Sequence, residues 1–349
     1  MNPSRPPDVQ PQPSRLAVIT PALNAAGEIR AVLSAIFQSD RKPDQVLVYD
    51  DGSTDGTGDI AASLGAAVLR NDGAPRGPGA GRNACAQKAE ADILVFIDAD
   101  VVVDSAAIGR LEAAIARSDR IVAAFGSYDD DPPSRSLVAR YANLRHHFIH
   151  QQSGPEVTTF WAGLGAVRRH DFLAVGGYDA TLFSQPSIED IELGARLTAT
   201  GARVAVVPDA QGAHLKDWRL LQLWRTDIVQ RAIPWAKLLT SQSVLNAELN
   251  TSTAERWRAL AAWLVLAAFA GALLEPRLIA LAAAAVTLYA VLNCAFFAVL
   301  MRRGGAALAA AGAGLHWLYH LYASAILAFY MARAMLAPSA RRRPAPEAR

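Results

Sequence analysis

Gln45-Val46-Leu47-Val48-Tyr49-Asp50-Asp51-Gly52-Ser53-Thr54-Asp55 is the stretch on which the fold turns. An apolar run ends in two carboxylates. A glycine follows that permits a sharp turn, then three residues that cap helices well. The pattern predicts a strand, a short loop and the start of a helix. A capped loop alone accounts for much of it, but two consecutive acids at a strand end are unusual as capping. Carboxylates placed there accept hydrogen bonds from a nucleobase imide or a ribose hydroxyl.

The same alternation recurs on both sides. Strands are predicted over 16–20, 45–49, 66–69 and 93–97, and helices over 28–38, 59–64, 80–89 and 105–116. Short continuous apolar strands between helices imply an α/β, doubly wound parallel sheet, in which ligands bind at the carboxyl ends of the strands. Each polar cluster falls at such an end. Thr20-Pro21-Ala22-Leu23-Asn24 follows the first strand, and Arg76-Gly77-Pro78-Gly79-Ala80-Gly81-Arg82-Asn83 follows the third. The latter lacks the Gly-Lys-Ser/Thr ending of a phosphate-binding loop. It is either a flexible turn or a place where Arg76 and Arg82 meet an anion closely.

Asp98-Ala99-Asp100 follows the fourth strand, and alternation points both acids the same way. Either they are solvated loop acids, or a hard divalent ion bridging to a diphosphate relieves their repulsion. Glu189-Asp190 opens a helical pattern. The helix dipole favours acids there without further purpose, and the functional alternative is a general base. In Ala213-His214-Leu215-Lys216-Asp217-Trp218, His214 is either a metal ligand or a surface histidine, and Lys216 is a candidate contact for a diphosphate.

Composition sets the wider frame. Of 349 residues 52% are apolar and 19% charged, with a net charge of +2. That charge excludes a strongly basic nucleic-acid binder. The two cysteines, Cys85 and Cys294, are too few for a disulfide scaffold, and Cys294 reads as a small buried hydrophobe. The charged residues are segregated: between 259 and 332 only Glu275, Arg277, Arg302 and Arg303 occur. The division predicted is a disordered Pro-rich lead-in over 1–14, a catalytic α/β domain over 15–215, amphipathic interfacial helices over 216–256, transmembrane helices over 257–336 and a basic tail over 337–349. The lead-in has no apolar core of a secretory signal.

Apolar stretches cover 259–274, 278–301 and 304–332, and Glu275-Pro276-Arg277 makes the first two a hairpin. Arg256, Arg258, Arg302 and Arg303 place both hairpin ends on the cytoplasmic side with the soluble domain. Three membrane helices are expected, although a third crossing puts Arg341, Arg342 and Arg343 outside. The segment 218–239 reads as an amphipathic helix on the membrane surface, or as an ordinary helix under the catalytic domain. His316 and His320 share a helical face with Trp317, Tyr319 and Tyr322 nearby, a metal pair or, better, an interfacial aromatic belt.

The ordered set Asp50-Asp51-Gly52-Ser53-Thr54-Asp55, Gly79-Ala80-Gly81-Arg82-Asn83, Asp98-Ala99-Asp100, Gly176-Gly177-Tyr178-Asp179 and Glu189-Asp190 resembles the family 2 inverting glycosyltransferases. The resemblance covers roughly 15–215. It implies a doubly wound mixed sheet of the GT-A nucleotide-sugar-binding type. It further implies that Asp51 contacts the base, with Asp50 close by, and that Pro21, Asn24, Arg76, Arg82 and Lys216 line the nucleotide. By the same resemblance Asp100 is the main ligand of a divalent ion, Mg²⁺ or Mn²⁺, Asp98 touches ribose or metal, and His214 completes the shell. Asp190 is then the catalytic base, with Glu189 beside it.

Processive members carry Gln-x-x-Arg-Trp. Here Gln230-Arg231-Ala232-Ile233-Pro234-Trp235 is one residue longer, which favours transfer of a single sugar. Trp161, Gly163, Arg231 and Trp235 are the acceptor-side candidates. The expectation is a metal-dependent inverting enzyme, multi-pass in the inner membrane with its catalytic domain facing the cytoplasm. It would use a nucleotide-diphosphate sugar and a lipid-linked or membrane-proximal acceptor. A nucleotidyltransferase fits less well, because the loop after strand one is not Gly-rich and basic. An oxidoreductase lacks its G-x-G-x-x-G there. A membrane protein that binds nucleotide sugar without turnover is the non-enzymatic alternative.

Overall fold

The computed structural model describes residues 14–183, 185–199, 201–242 and 251–336. The expected lead-in, except Ser14, and the basic tail lie outside the described residues. The chain order is β1 (Leu16–Ala22), α1 (Ile29–Gln38), β2 (Gln45–Asp50), α2 (Thr57–Ser63), β3 (Ala67–Arg70), α3 (Pro78–Lys88), β4 (Ile93–Ile97), β5 (Val101–Val103), α4 (Ala107–Ala116) and β6 (Ile121–Tyr128). Then come α5 (Leu137–Gln151), β7 (Glu156–Val157), β8 (Leu164–Arg168), α6 (Arg169–Ala174), α7 (Glu189–Ala199) and β9 (Arg203–His214). The C-terminal part holds α8 (Leu220–Arg225), a π-helical turn (Thr226–Ala232), α9 (Ile233–Gln242), α10 (Thr253–Leu274), α11 (Ile279–Leu292) and α12 (Cys294–Leu336).

The sheet runs β3-β2-β1-β4-β8-β6-β9-β5, with β7 on β9. Its first four strands are parallel, and Leu16, Ala17, Val18 and Ile19 are fully buried because helices cover both faces. The sheet is mixed rather than wholly parallel, since β8 enters antiparallel between β4 and β6. The loop from β4 does not lead into a helix, as predicted, but into the short strand β5 along the end of β9. That register sets Val101 opposite His214, and so brings the Asp98-Ala99-Asp100 turn to the end of β9.

The helical region departs from its expected segmentation. The second predicted apolar span, 278–301, is not one helix. It breaks at Asn293, whose buried amide donates to the Tyr289 carbonyl, and α11 has 14 residues, about 21 Å. Beyond the break Phe296 and Leu300 are buried against Tyr141, Leu144 and Phe148 of α5. Gly305 (φ 66°) then kinks α12 and turns the chain back. This stretch therefore packs on α5 through Phe296 and Leu300. Cys294 is exposed, not buried as predicted, because it starts the new helix.

His316 and His320 do not form an interfacial belt. Both are buried: Tyr141 Oη lies 3.2 Å from His316 Nδ1, Tyr289 Oη 3.0 Å from His320 Nδ1, and His320 Nε2 3.1 Å from Glu255. Within the segment 218–239 the helix begins at Leu220 and runs through the π-turn into α9. Two helices, Thr253–Leu274 and Cys294–Leu336, are long and apolar enough to cross a membrane. The hairpin of α10 and α11 exposes Leu264, Phe269, Leu273, Ile279, Leu281 and Val291.

Candidate functional site

The strand ends of β1, β2 and β4, the start of α7 and the end of β9 converge. At the β2 end Asp51 is buried, and its carboxylate accepts bonds from the backbone N–H groups of Arg76 and Gly77 and from Asn71 Nδ2, each within 2.9 Å. The Gly-rich segment is thereby clamped onto β2. Gly77 (φ 87°) supplies the left-handed turn that presents its N–H. Arg76 is held through its backbone, while its side chain is exposed. Asp50 accepts from Ser53 N at 2.9 Å and lies 3.8 Å from Arg70. Asn24 (φ 51°) accepts from Thr54 N at 2.9 Å and ties the loops after β1 and β2 together, beside Pro21. Gly52 (φ 86°) makes the predicted turn.

Arg82 is buried on α3. Its Nη2 donates to Asp98 Oδ1 at 2.6 Å and its Nη1 lies 3.7 Å from Glu189. The Tyr178 ring packs on its guanidinium at 5.4 Å, with the buried phenol hydroxyl lacking a hydrogen-bond partner among the described residues. Burial and the neighbouring Asp100 push the Asp98 carboxyl up despite Arg82.

Asp100 faces His214, Oδ2 to Nε2 at 3.4 Å. Asn143 receives the His214 Nδ1–H at 2.6 Å and returns a bond to the His214 carbonyl. Tyr128 stacks on the imidazole at 4.3 Å. This turns Nε2 toward the Asp100 carboxylate, where a proton or a cation bridges the two. Burial raises the Asp100 carboxyl, but the His214 hydrogen bond, its charge and Lys216 outweigh it, and the group ends below its ordinary range. Lys216 itself sits over the Trp218 ring at 4.3 Å.

The trio Asp98, Asp100 and His214 is not gathered as one metal cluster. Among the described residues no group of three or more acids, histidines or cysteines has that geometry, because Asp98 is drawn to Arg82. The pair Asp100 and His214 remains. One carboxylate and one imidazole fit a divalent ion whose other positions are filled by diphosphate oxygens and water.

Glu189 and Asp190 separate in role. Glu189 is buried, accepts from Ser187 N at 2.7 Å and faces Arg82. Asp190 lines a cavity of about 410 Å³. It accepts from Ala162 N at 3.3 Å and Ile191 N at 2.9 Å. Burial, then the adjacent Glu189 charge, pushes its carboxyl up to about 7 against the pull of Arg82. Trp161, Arg231 and Trp235 line the same cavity. Gly163 does not; it packs edge-on to the Trp161 indole, where a Cβ would come within 2.4 Å, and its carbonyl receives Asp98 N–H at 3.2 Å.

Several residues at the site escaped the sequence reading. Arg145 on α5 and Asp227 on the π-turn form a buried ion pair at 2.8 Å, and Tyr322 donates to Asp227 at 2.8 Å. Burial raises Asp227, yet Arg145 and Arg231 bring it below the ordinary range. The run Arg145-His146-His147-Phe148-Ile149-His150, with histidines four apart, was the available signal.

Residues 17–176 match the family model described as glycosyl transferase family 2. Among curated proteins the chain is 28% identical over 204 residues to glycosyltransferase AglJ of Haloferax volcanii, spanning 57% of this chain and 63% of that protein. It is 25% identical over 244 residues to the O-antigen chain rhamnosyltransferase RfbN of Salmonella typhimurium, spanning 63% and 74%. Among solved structures, mannosyltransferase PcManGT from Pyrobaculum calidifontis, in complex with GDP-Man and Mn²⁺, aligns with 21% identity and a TM-score of 0.49 over 95% of this chain and 90% of that one.

Proposed function

We propose that this chain, whose residues 17–176 match the glycosyl transferase family 2 model, moves a single sugar, with inversion, from a nucleotide-diphosphate sugar to a lipid-linked or membrane-proximal acceptor. The observation that carries the reading is the position of Asp190. It lies between the group formed by Arg82, Asp98 and Glu189 and the cavity that reaches the helical region.

In this reading the nucleotide rests on the β1, β2 and Gly-rich loops. Asp50, Asp51, Arg76, Pro21 and Asn24 shape that surface, and Arg82, Asp98 and Lys216 lie toward the diphosphate. Asp51 supports the loop as much as it faces a base, since its oxygens already hold three donors. Asp100 and His214 would hold a divalent ion, whose chemistry is neutralisation of charge on the departing diphosphate. Asp190 takes the proton of the acceptor hydroxyl as that oxygen bonds to the anomeric carbon, and the bond from that carbon to the diphosphate breaks with its electron pair leaving on phosphate. A carboxyl pushed up to about 7 is matched to that task. Glu189 positions Arg82 and raises Asp190.

Membrane association through the helical region is supported by its exposed apolar surface. The relative named for O-antigen chain is in keeping with a glycan-building role. The test is thermal stabilisation of the detergent-purified chain by UDP, GDP and dTDP, with and without Mn²⁺. A ligand at a hundred times its Kd adds about 2.7 kcal/mol. A metal-dependent shift with one nucleotide, abolished in Asp100→Ala, is expected; no shift with any of them overturns the donor.

A further inference from the structure

One face of α5 runs along the site. Asn143, His146 and His150 are spaced by three and then four residues, which sets them in one stripe. Asn143 orients His214. His150 is buried, with Phe125 and Trp161 against its ring. His146 lies between them, half-buried, and opens on the cavity that Asp190 lines. Its ring meets Tyr128 at 5.6 Å and His150 at 5.7 Å, and among the described residues neither of its nitrogens makes a hydrogen bond. The adjacent His147, by contrast, donates to the Tyr128 carbonyl at 2.8 Å.

Two contacts of Tyr128 fix where His146 stands. Tyr128 stacks on His214 at 4.3 Å, the imidazole turned to Asp100. It also meets Trp161 at 4.8 Å, and the next residue, Ala162, donates its N–H to Asp190. In the transferase reading the diphosphate departs toward Asp100 and His214, and the acceptor oxygen arrives from the side of Asp190. An inverting displacement aligns these two on opposite sides of the anomeric carbon, so the sugar ring lies between them. Tyr128, His146 and Trp161 wall that space.

The chemistry of the group selects its ligand. Burial first, then the charge of Arg231, pushes the His146 imidazolium well below its ordinary range, so the ring is neutral. A neutral imidazole offers one N–H and one lone pair. That suits a hydroxyl, which both donates and accepts, better than a phosphate, which asks for donors alone. Nor does His146 extend the metal pair, since among the described residues no three such groups gather.

We propose that His146 reads a hydroxyl of the sugar being transferred, and so helps to set which nucleotide sugar is accepted. The proposal rests on the transferase reading above and gives the sugar a residue that none of the strand-end motifs contains. A site built to bond a substrate hydroxyl discriminates strongly against a ligand that lacks it, because its own polar group is then left unpaired.

Titration calorimetry on the full chain in detergent with Mn²⁺ tests this. UDP, GDP and dTDP are titrated first, then UDP-glucose, UDP-galactose, GDP-mannose, GDP-glucose, dTDP-glucose and dTDP-rhamnose. His146→Phe keeps an aromatic ring against Tyr128 and His150 and removes both nitrogens, whereas His146→Gln returns a donor and an acceptor. His146→Phe should bind the nucleotide sugar that wild type prefers about tenfold more weakly, the loss of one hydrogen bond, and the bare nucleotide as wild type does. The preference between the two sugars on that nucleotide should narrow, and His146→Gln should recover part of the lost affinity. Equal losses for the bare nucleotide and its sugar, or no loss for the sugar, overturn the proposal. Slower transfer at unchanged nucleotide-sugar affinity assigns His146 to the acceptor and overturns it as well. A wild type that binds no nucleotide and no nucleotide sugar strikes the donor reading, and this inference with it. Intact nucleotide binding with no effect on the sugar strikes this inference alone.

Discussion

Arg82 Nη2 stands 2.6 Å from Asp98 Oδ1, and this contact joins the two halves of the site. Asp98 closes β4, Arg82 lies on α3, and the other arm of the same guanidinium reaches Glu189 at the start of α7. Three elements far apart in sequence are thus fixed by one planar cation. The fork geometry of arginine is what lets it face both carboxylates.

Replacing Arg82 by leucine leaves the buried Glu189 carboxylate, and the partly exposed Asp98, without their shared counter-charge. Breaking such a pair from one side costs about 3–5 kcal/mol. Thermal unfolding of Arg82→Leu should show that loss, and nucleotide binding should fall with it. Arg82→Lys restores the charge but not the fork, so it should recover stability more than binding. Equal Tm values for wild type and Arg82→Leu would contradict the role.

Asp190 gives opposite pH signs for activity and stability. Its carboxyl, ordinarily near 3.8, is pushed up to about 7 in the folded chain. The base form therefore appears as pH rises through about 7, and transfer to a hydroxyl acceptor should rise with it. The folded state binds the proton more tightly than the unfolded state, so this group's contribution to stability is full below about 4 and is lost as pH climbs to about 7. Asp190→Asn should drop transfer by several orders of magnitude, keep nucleotide binding, and flatten both profiles. Transfer near wild-type rates in that variant would remove Asp190 from the mechanism.

Asp227 ties the catalytic domain to α12. It accepts from Arg145 on α5, Arg231 on its own helix and Tyr322 on α12. Tyr322→Phe removes one hydrogen bond to a charged group and should cost about 1.5–3 kcal/mol. Asp227→Asn should cost more, since it leaves Arg145 buried with no counter-charge. Chemical denaturation of the detergent-purified chain measures both. A reversed order would mean that Arg145 finds another partner.

Most of the alternation over 16–116 was legible because β1, β2 and β4 are short, apolar and buried on both faces, whereas the three-residue β5 was not. The order of β8, β6, β9 and β5 was not, since antiparallel insertion leaves no periodic mark. Asp98 and Asp100 could be seen as a pair, but only the packing shows Asp98 turning to Arg82 while Asp100 turns to His214. Asp227 and Arg145 were invisible as a pair, being 82 residues apart with neither in a turn or strand end. In the apolar C-terminal region hydropathy alone could not separate helix with an exposed apolar face from helix packed on α5. The break at Asn293 and the kink at Gly305 decide that, and both residues are unremarkable in a hydropathy profile.

His214 needs its orientation to serve as a ligand, and Asn143 supplies it. The Nδ1–H is held by the Asn143 amide oxygen at 2.6 Å, while the amide nitrogen is held by the His214 carbonyl. With Nδ1 so engaged, Nε2 is turned toward Asp100. Loss of a supporting hydrogen bond of this kind typically lowers metal affinity by roughly 10–100-fold. Asn143→Ala should therefore shift the Mn²⁺ concentration needed for nucleotide binding by about that factor, without touching binding of nucleotide at saturating metal. His214→Ala should do the same more strongly, and Asp100→Ala should abolish metal dependence. Titration calorimetry with Mn²⁺ in the presence of the bound nucleotide separates these cases. An unchanged Mn²⁺ requirement in both Asn143→Ala and His214→Ala would confine the metal to carboxylates and make the imidazole a wall of the site.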